Sequence, residues 1–299
     1  MQLIQAQDLC LAFSADPVLH NVRLTIDAGE RICLVGRNGE GKSCLMRILV
    51  GAMEPDSGHV RRGVETRVAY LPQEVPESLS GSVFEVVLAG VGGDGELLAQ
   101  YQSLSKQIEE ASTEVLLLEL QRVQDELDQS NGWDIQRQVE NQLRRLELSP
   151  SAPFDSLSGG MKRQVLLVRA LAAKPNVLIL DEPTNHLDIQ AIERLEGELK
   201  RFEGAVLFVT HDRMFLRRLA TRIIDLDRGQ LTSWPGDFDL YQKRKQAALD
   251  VQAAEWERLD KKRAKEEVWI RQGIKARRTR NEGRVRALVK LREQRKARR

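Results

Sequence analysis

The sequence predicts an α/β layer fold carrying a helical insertion and a long helical C-terminal segment. Three observations lead there. Residues 177–180 and 206–209 are continuous apolar runs of four residues each, as in strands buried on both faces of a parallel sheet. Between them, residues 189–201 place Ile192, Leu195 and Leu199 at helical spacing, so strand, helix and strand alternate. A glycine-rich loop at residues 36–43 joins a third apolar run to a helical segment.

Residues 1 to about 70 alternate short apolar runs with turn signals. Residues 31–35 form a β-like run ending at a glycine, residues 45–50 look helical, and Gly51 is a helix stop. Gly90, Gly92, Gly93 and Gly95 suggest a flexible joint. Residues 96–147 hold no proline and predict helices broken near 130–132. Leu97, Tyr101, Leu104 and Ile108 recur at spacings of three and four, as do Leu116, Leu120, Val123 and Leu127. That pattern suits a helical hairpin or small helical lobe. Residues 240–299 again lack proline and are rich in Lys, Arg, Glu and Ala. One helix of that length would reach about 90 Å, so a break near 273–283, giving two long helices, is expected.

Composition narrows the function classes. With 299 residues, 41% hydrophobic and 30% charged, the chain can bury a core and is not wholly disordered. Its longest apolar runs are five residues, 9–13 and 205–209, against about 18 for a spanning helix. No membrane partner is expected. The N-terminus does not read as a secretory signal. Cys10, Cys33 and Cys44 are odd in number and lack C-x-x-C spacing, so they read as free thiols of a reducing cytosol and the expected location is cytoplasmic. Formal net charge is +2, but residues 275–299 carry 12 Lys or Arg against two acidic residues. A basic end on an acidic body suits a polyanion such as nucleic acid. A solvated basic helix face is the other reading.

Gly36-Arg-Asn-Gly-Glu-Gly-Lys42-Ser43 fits G-x-x-x-x-G-K-[S/T] between an expected strand and an expected helix. Its backbone N–H groups can close around phosphates at a helix N-terminus. Lys42 would bridge the outer phosphates, and the Ser43 hydroxyl would bind Mg²⁺. The run at 177–180 ends in Asp181 and Glu182, one carboxylate for the Mg²⁺ shell and the next to polarise water. The run at 206–209 leads to Thr210 and His211. A lone histidine there would be structural, but a third polar strand end facing one crevice suggests a ligand site. Leu157-Ser158-Gly159-Gly160-Met161 precedes a helix and can form another anion cradle, although S-G-G also occurs in plain linkers.

The order phosphate loop, Gln73, L-S-G-G, apolar strand with D-E, and His211 resembles an ATP-binding cassette. Asp181-Glu-Pro-Thr-Asn-His-Leu-Asp188 is similar to the ABC-F group, whose cassettes have no transmembrane partner. Residues 267–288 resemble the inter-cassette linker of the Uup branch of that group, and Gly236-Asp-Phe-Asp-Leu-Tyr241 before them also fits. The resemblance covers essentially the whole chain. It implies a P-loop NTPase cassette of mixed sheet and flanking helices, with a core at 1–76 and 157–239. It also implies a helical subdomain at 77–156 with an arm at about 96–147, and a basic linker at 240–299.

The resemblance also implies roles. ATP and Mg²⁺ are the cofactors. Phe13 would stack on adenine, where a core phenylalanine is the alternative. Gly36, Asn38, Gly39, Gly41, Lys42, Ser43 and Cys44 would hold the phosphates. Ser43, Gln73 and Asp181 would serve the metal, with Gln73 also sensing the attacking water. Glu182 would be the general base, and His211 would contact the γ-phosphate. Ser158, Gly159 and Gly160 would hold ATP on an opposite cassette, and Asp188 would reach across the dimer. Family members normally carry two cassettes, whereas this chain has one and ends inside the linker. The second would come from a homodimer or a separate C-terminal half. Cys44 stands where threonine or serine is usual. Its thiol is a weak donor that would weaken one α-phosphate contact, or else a buried small apolar residue. Met161 replaces a residue that is often glutamine or tryptophan, with little effect expected.

For output, residues 96–147 hold 11 acidic and five basic residues, which disfavours docking on phosphate and favours a basic protein surface. Lys275, Arg277, Arg278, Arg280, Arg284 and Arg286 are the expected nucleic-acid contacts. No aromatic residue lies within 275–299, so phosphate and shape recognition are expected rather than base stacking. Trp256 and Trp269 are expected to pack between helices. The leading expectation is an ATPase whose nucleotide state switches binding to the ribosome and tRNA. The alternative is an ATPase acting on DNA structure in repair, recombination or transposon excision. A transporter's cassette subunit would leave the basic tail unexplained, and an inert fragment that binds ATP would show no turnover.

Overall fold

A computed structural model describes residues 1–271 except 14–16, 77, 78, 112 and 131, and gives the backbone alone for 110, 249, 252, 253, 255, 262, 263 and 265–271. In chain order, the first strands are β1 (Gln2–Ala12), β2 (Pro17–Asp27) and β3 (Arg31–Gly36), followed by α1 (Lys42–Leu49), β4 (Ser57–Arg62) and β5 (Val68–Leu71). The helical insertion contains α2 (Val83–Leu88), α3 (Gly93–Glu110), α4 (Glu114–Gln129) and α5 (Gly132–Arg145). Then come α6 (Gly159–Ala172), β6 (Val177–Asp181), α7 (Ile189–Arg201), β7 (Ala205–Val209), α8 (Arg213–Leu219), β8 (Arg222–Asp227), β9 (Gln230–Pro235) and α9 (Phe238–Arg271).

The apolar runs read from sequence become the middle of a six-stranded sheet, order β5-β6-β7-β3-β8-β9. Every residue of β6 and β7 is buried. Only β9 runs antiparallel to its neighbour, which makes the sheet mixed. Strand register aligns the polar ends. Asp181 pairs with Val209, and Cys33 with Phe208, so the carboxyl ends of β3, β6 and β7 lie side by side. A second, antiparallel sheet of order β2-β1-β4 shares one apolar core with α1 and the central strands.

The insertion has its own core, in which Val123, Leu127, Val139 and Leu143 meet Val165 and Val168 of α6. Tyr101 and Trp133 pack edge to face, with ring centroids 5.2 Å apart. The break expected near 130–132 is present, and a second one comes after α3. Thr113 caps α4 there by accepting the N–H of Leu116. Of the four glycines at 90–95, Gly92 and Gly93 have open space around them, whereas Gly90 and Gly95 are closely packed. A Cβ on Gly95 would stand 2.3 Å from the carbonyl oxygen of Leu88, and one on Gly90 would stand 2.4 Å from Cγ of Arg169. They permit close packing where α2 turns into α3.

Residues 1–238 form one compact unit, and a second begins at Asp239. In the second, α9 runs unbroken to Arg271, about 50 Å at 1.5 Å per residue. Surface pairs such as Lys261–Glu257 at 2.6 Å line it. Trp256 is half-buried. The expected break near 273–283 and the side chain of Trp269 lie outside the described residues. Among the described residues, no helix is long and apolar enough to cross a membrane, and Cys10, Cys33 and Cys44 are all free thiols.

Candidate active site

β3 delivers the chain to the glycine loop, and α1 takes it away. Gly41 has φ +93, and a Cβ there would stand 2.3 Å from Cγ1 of Val18. Gly36 pairs beside Leu226 of β8, and a Cβ there would stand 2.5 Å from the Leu226 carbonyl oxygen. Any side chain at either position would push the loop off the sheet. Lys42, the first residue of α1, folds back over the loop. Its Nζ donates to the carbonyl oxygens of Gly36 at 2.9 Å and Arg37 at 2.8 Å.

The carboxylates come from the end of β6. Asp181 is 3% exposed, and the Tyr70 hydroxyl donates to its Oδ2 at 3.5 Å. Burial, and then Asp181, push the Tyr70 hydroxyl pKa up. Glu182 is 4% exposed and lies in the left-handed region at φ +50, a conformation costing a non-glycine residue about 1–3 kcal/mol. Three elements hold it. Its N–H donates to Val209 O at 3.0 Å, its carbonyl accepts from Arg163, and its Oε2 accepts the His211 N–H at 3.2 Å. The His211 imidazole Nε2 is 3.2 Å from Oε1. Burial pushes the Glu182 carboxyl up from its ordinary value, Asp181 adds to this, and His211 and Lys42 oppose it. A buried hydroxyl pair, Thr184 and Thr210 at 2.9 Å, ties the segment after β6 to the end of β7.

Lys42, Asp181, Glu182 and His211 face one cavity of about 350 Å³. Of the residues singled out by sequence, Phe13, Asn38, Gly39, Gly41, Lys42, Ser43, Cys44, Gln73, Asp181, Glu182 and His211 line it. Gly36 lies below, its carbonyl held by Lys42. Phe13 is 68% exposed at the rim, so it is not a core phenylalanine. Cys44 is half-buried, facing the cavity on one side and packing against the apolar core on the other.

Ser158, Gly159, Gly160 and Asp188 do not line the cavity. Ser158 caps α6 by accepting the Met161 N–H at 3.3 Å. Ser158 and Gly159 are exposed, and a Cβ on Gly160 would stand 2.6 Å from the His186 carbonyl oxygen. Asp188 is exposed and caps α7 by accepting the Ala191 N–H at 2.8 Å. Lys275, Arg277, Arg278, Arg280, Arg284 and Arg286 lie outside the described residues.

Sequence reasoning missed Val18 and Asn185 in the cavity wall, Tyr70 on Asp181, and Arg163 behind Glu182. Arg163 had one available signal. It shares a helix face with Leu167, four residues on, which is buried like it.

The donor set fits a nucleoside triphosphate. Lys42 and a helix N-terminus supply positive charge, and Phe13 and Val18 supply an apolar edge. Among the described residues no group of three or more His, Cys, Asp or Glu could hold a metal alone. A hydroxyl, an amide and a carboxylate (Ser43, Gln73, Asp181) suit Mg²⁺ that takes its remaining ligands from phosphate and water.

A family model described as ABC transporter matches residues 19–185, and a second model with that description matches residues 224–299. ATP-binding protein Uup of Haemophilus influenzae is 48% identical over 299 residues, covering 100% of this chain and 46% of that protein. Energy-dependent translational throttle protein EttA of Mycobacterium tuberculosis (strain ATCC 25618 / H37Rv) is 36% identical over 269 residues, 90% of this chain and 48% of that one. The chain thus spans about half the length of the curated relatives it matches. Among solved structures, a nucleotide-free ATP-binding cassette from an ABC transporter aligns with TM-score 0.60 at 19% identity, covering 81% of this chain and 94% of that one. An ATP binding subunit of an ABC transporter aligns with TM-score 0.59 at 24% identity, covering 85% and 98%. Phosphate loop, buried acids, strand-end histidine and mixed sheet, with these relatives, make the chain a member of the ATP-binding cassette family, in its ABC-F group alongside the Uup proteins.

Proposed function

We propose that this chain is an ABC-F type ATPase that closes on a second cassette and uses its nucleotide state to switch binding to the ribosome and tRNA. One observation carries the catalytic part. Lys42, Ser43, Asp181, Glu182 and His211, from three parallel strand ends, meet in one cavity with Gln73 and the apolar face of Phe13. Lys42 binds the outer phosphates in place of its two loop carbonyls. Ser43, Gln73 and Asp181 would hold Mg²⁺, which would supply positive charge against the phosphates. Glu182 takes the proton of the attacking water. Its raised pKa makes it a better base than an exposed carboxylate once ionised. His211 orients Glu182 and reaches the γ-phosphate side. The exposed Ser158-Gly159 end of α6 is free to meet ATP held by another cassette. That cassette is a second copy or a C-terminal half, since the relatives are about twice this length.

The target reading rests on the EttA relatives, which are named for translation, and on the basic residues from Lys275 to Arg286. The test is cosedimentation of the Glu182→Gln chain with ribosomes near physiological salt. Pelleting with ATP and not with ADP supports the ribosome reading. Nucleotide-independent behaviour there, with retention on branched DNA, moves the target to DNA.

A further inference from the structure

Arg163 lies in the first turns of α6, the helix opened by Ser158-Gly159-Gly160, and only 3% of it is exposed. Its guanidinium does not reach the cavity. It donates instead to backbone carbonyls of two other segments: Gln73, with Pro72 at 3.5 Å, and Glu182. Burying a charged side chain is costly unless it is well satisfied. Burial pulls the Arg163 pKa down, and Asp181 and Glu182 pull it back up. What that cost secures is the backbone on either side of the reacting groups. Glu182 sits at φ +50, so its peptide groups need holding. Val209 takes its N–H and Arg163 takes its carbonyl.

We infer that Arg163 is a positioning residue for ATP hydrolysis, a planar fork that fixes the Gln73 and Glu182 backbones against the helix carrying Ser158. The inference rests on the ATPase reading and adds a mechanical consequence to it. A shift of α6, such as docking of another cassette on its N-terminus would impose, moves Gln73 and Glu182 together. A lysine cannot replace it. An ammonium lacks the rigid fork needed to serve two separate carbonyls in a fixed plane.

The test compares wild type, Arg163→Lys and Arg163→Met in the full chain. Without nucleotide, deuterium exchange should quicken in peptides covering 72–76 and 182–187 and stay unchanged in β3 and β7. Affinity for a non-hydrolysable ATP analogue should stay within about threefold. Turnover should fall about 10- to 100-fold at nearly constant KM, the scale of a small misplacement of reacting groups. If Arg163→Met does not fold, Arg163→Lys decides. Unchanged exchange in both segments overturns the inference, as does exchange rising throughout the chain. Loosened segments with unchanged turnover overturn it too. Absence of ATPase activity in wild type defeats the ATPase reading instead, and local exchange then still decides whether Arg163 holds both segments.

Discussion

His211 stands against both oxygens of Glu182. Its backbone N–H reaches Oε2 and its imidazole Nε2 stands off Oε1, each at 3.2 Å. The backbone hydrogen bond anchors one carboxylate oxygen, and the imidazole stands beside the other. The imidazole remains 67% exposed toward solvent, so the same ring can meet a ligand.

Glu182→Gln keeps the shape of the side chain and removes the base. Nucleotide binding should persist while hydrolysis falls about 10²- to 10⁴-fold, the range for losing a positioned general base. Single-turnover hydrolysis beside equilibrium binding measures both. A variant that turns over at the wild-type rate would show that another group takes the proton.

The pKa of Glu182 also makes a stability prediction. Burial raises its folded value above the ordinary carboxylate value. Between the unfolded and the raised folded value, the folded state binds more protons, so stability falls as pH rises. The ionised buried group is thus a cost at neutral pH that disappears below the ordinary carboxylate range. Glu182→Gln should melt higher than wild type at neutral pH, and that gain should shrink as pH falls through the raised value. A gain that grows toward acid would reverse the assigned sign.

Lys42→Ala removes a charge whose partners are two loop carbonyls, at 2.9 and 2.8 Å. Those carbonyls stay near solvent, so stability should change little. Nucleotide affinity should drop about 10²-fold or more, since each hydrogen bond to a charged group is worth roughly 1.5–3 kcal/mol. Titration calorimetry with ATP and a thermal melt separate the two effects.

Chain distance decides how much of the site is legible in the sequence. The glycine loop is contiguous, so its chemistry is readable at once. Asp181, Glu182 and His211 are readable because each ends an apolar run, and parallel pairing of β3, β6 and β7 brings such ends together. The break after α3 escapes the sequence reading, although Thr113 is an ordinary helix-capping residue. Ser82-Val-Phe-Glu85 is likewise a capping-box pattern at the start of α2. The early antiparallel sheet is invisible because its pairings, such as Gln5 with Arg61, join segments whose periodicity is blurred by bulges. Arg163 gives a packing signal through its spacing from Leu167 but not a functional one, because its acceptors are carbonyls, which every residue has.

Gly41 and Val18 provide the sharpest check on the loop. Val18 stands in β2, 23 positions before Gly41, and its Cγ1 would lie 2.3 Å from a Cβ at 41. Gly41→Ala therefore meets two obstacles, a left-handed φ of +93 and a branched side chain. The strain alone costs about 1–3 kcal/mol, and the contact must also be relieved by shifting the loop or β2. We expect Gly41→Ala to melt lower and to bind ATP at least about tenfold more weakly, because the displaced amides no longer converge. Val18→Ala removes the contact but leaves the φ strain. The double variant should recover part of the lost stability and affinity, with a coupling of about 0.5 kcal/mol or more between two sites in contact. Strict additivity in melting and calorimetry would show that backbone strain alone sets the need for glycine, and that β2 does not shape the phosphate loop.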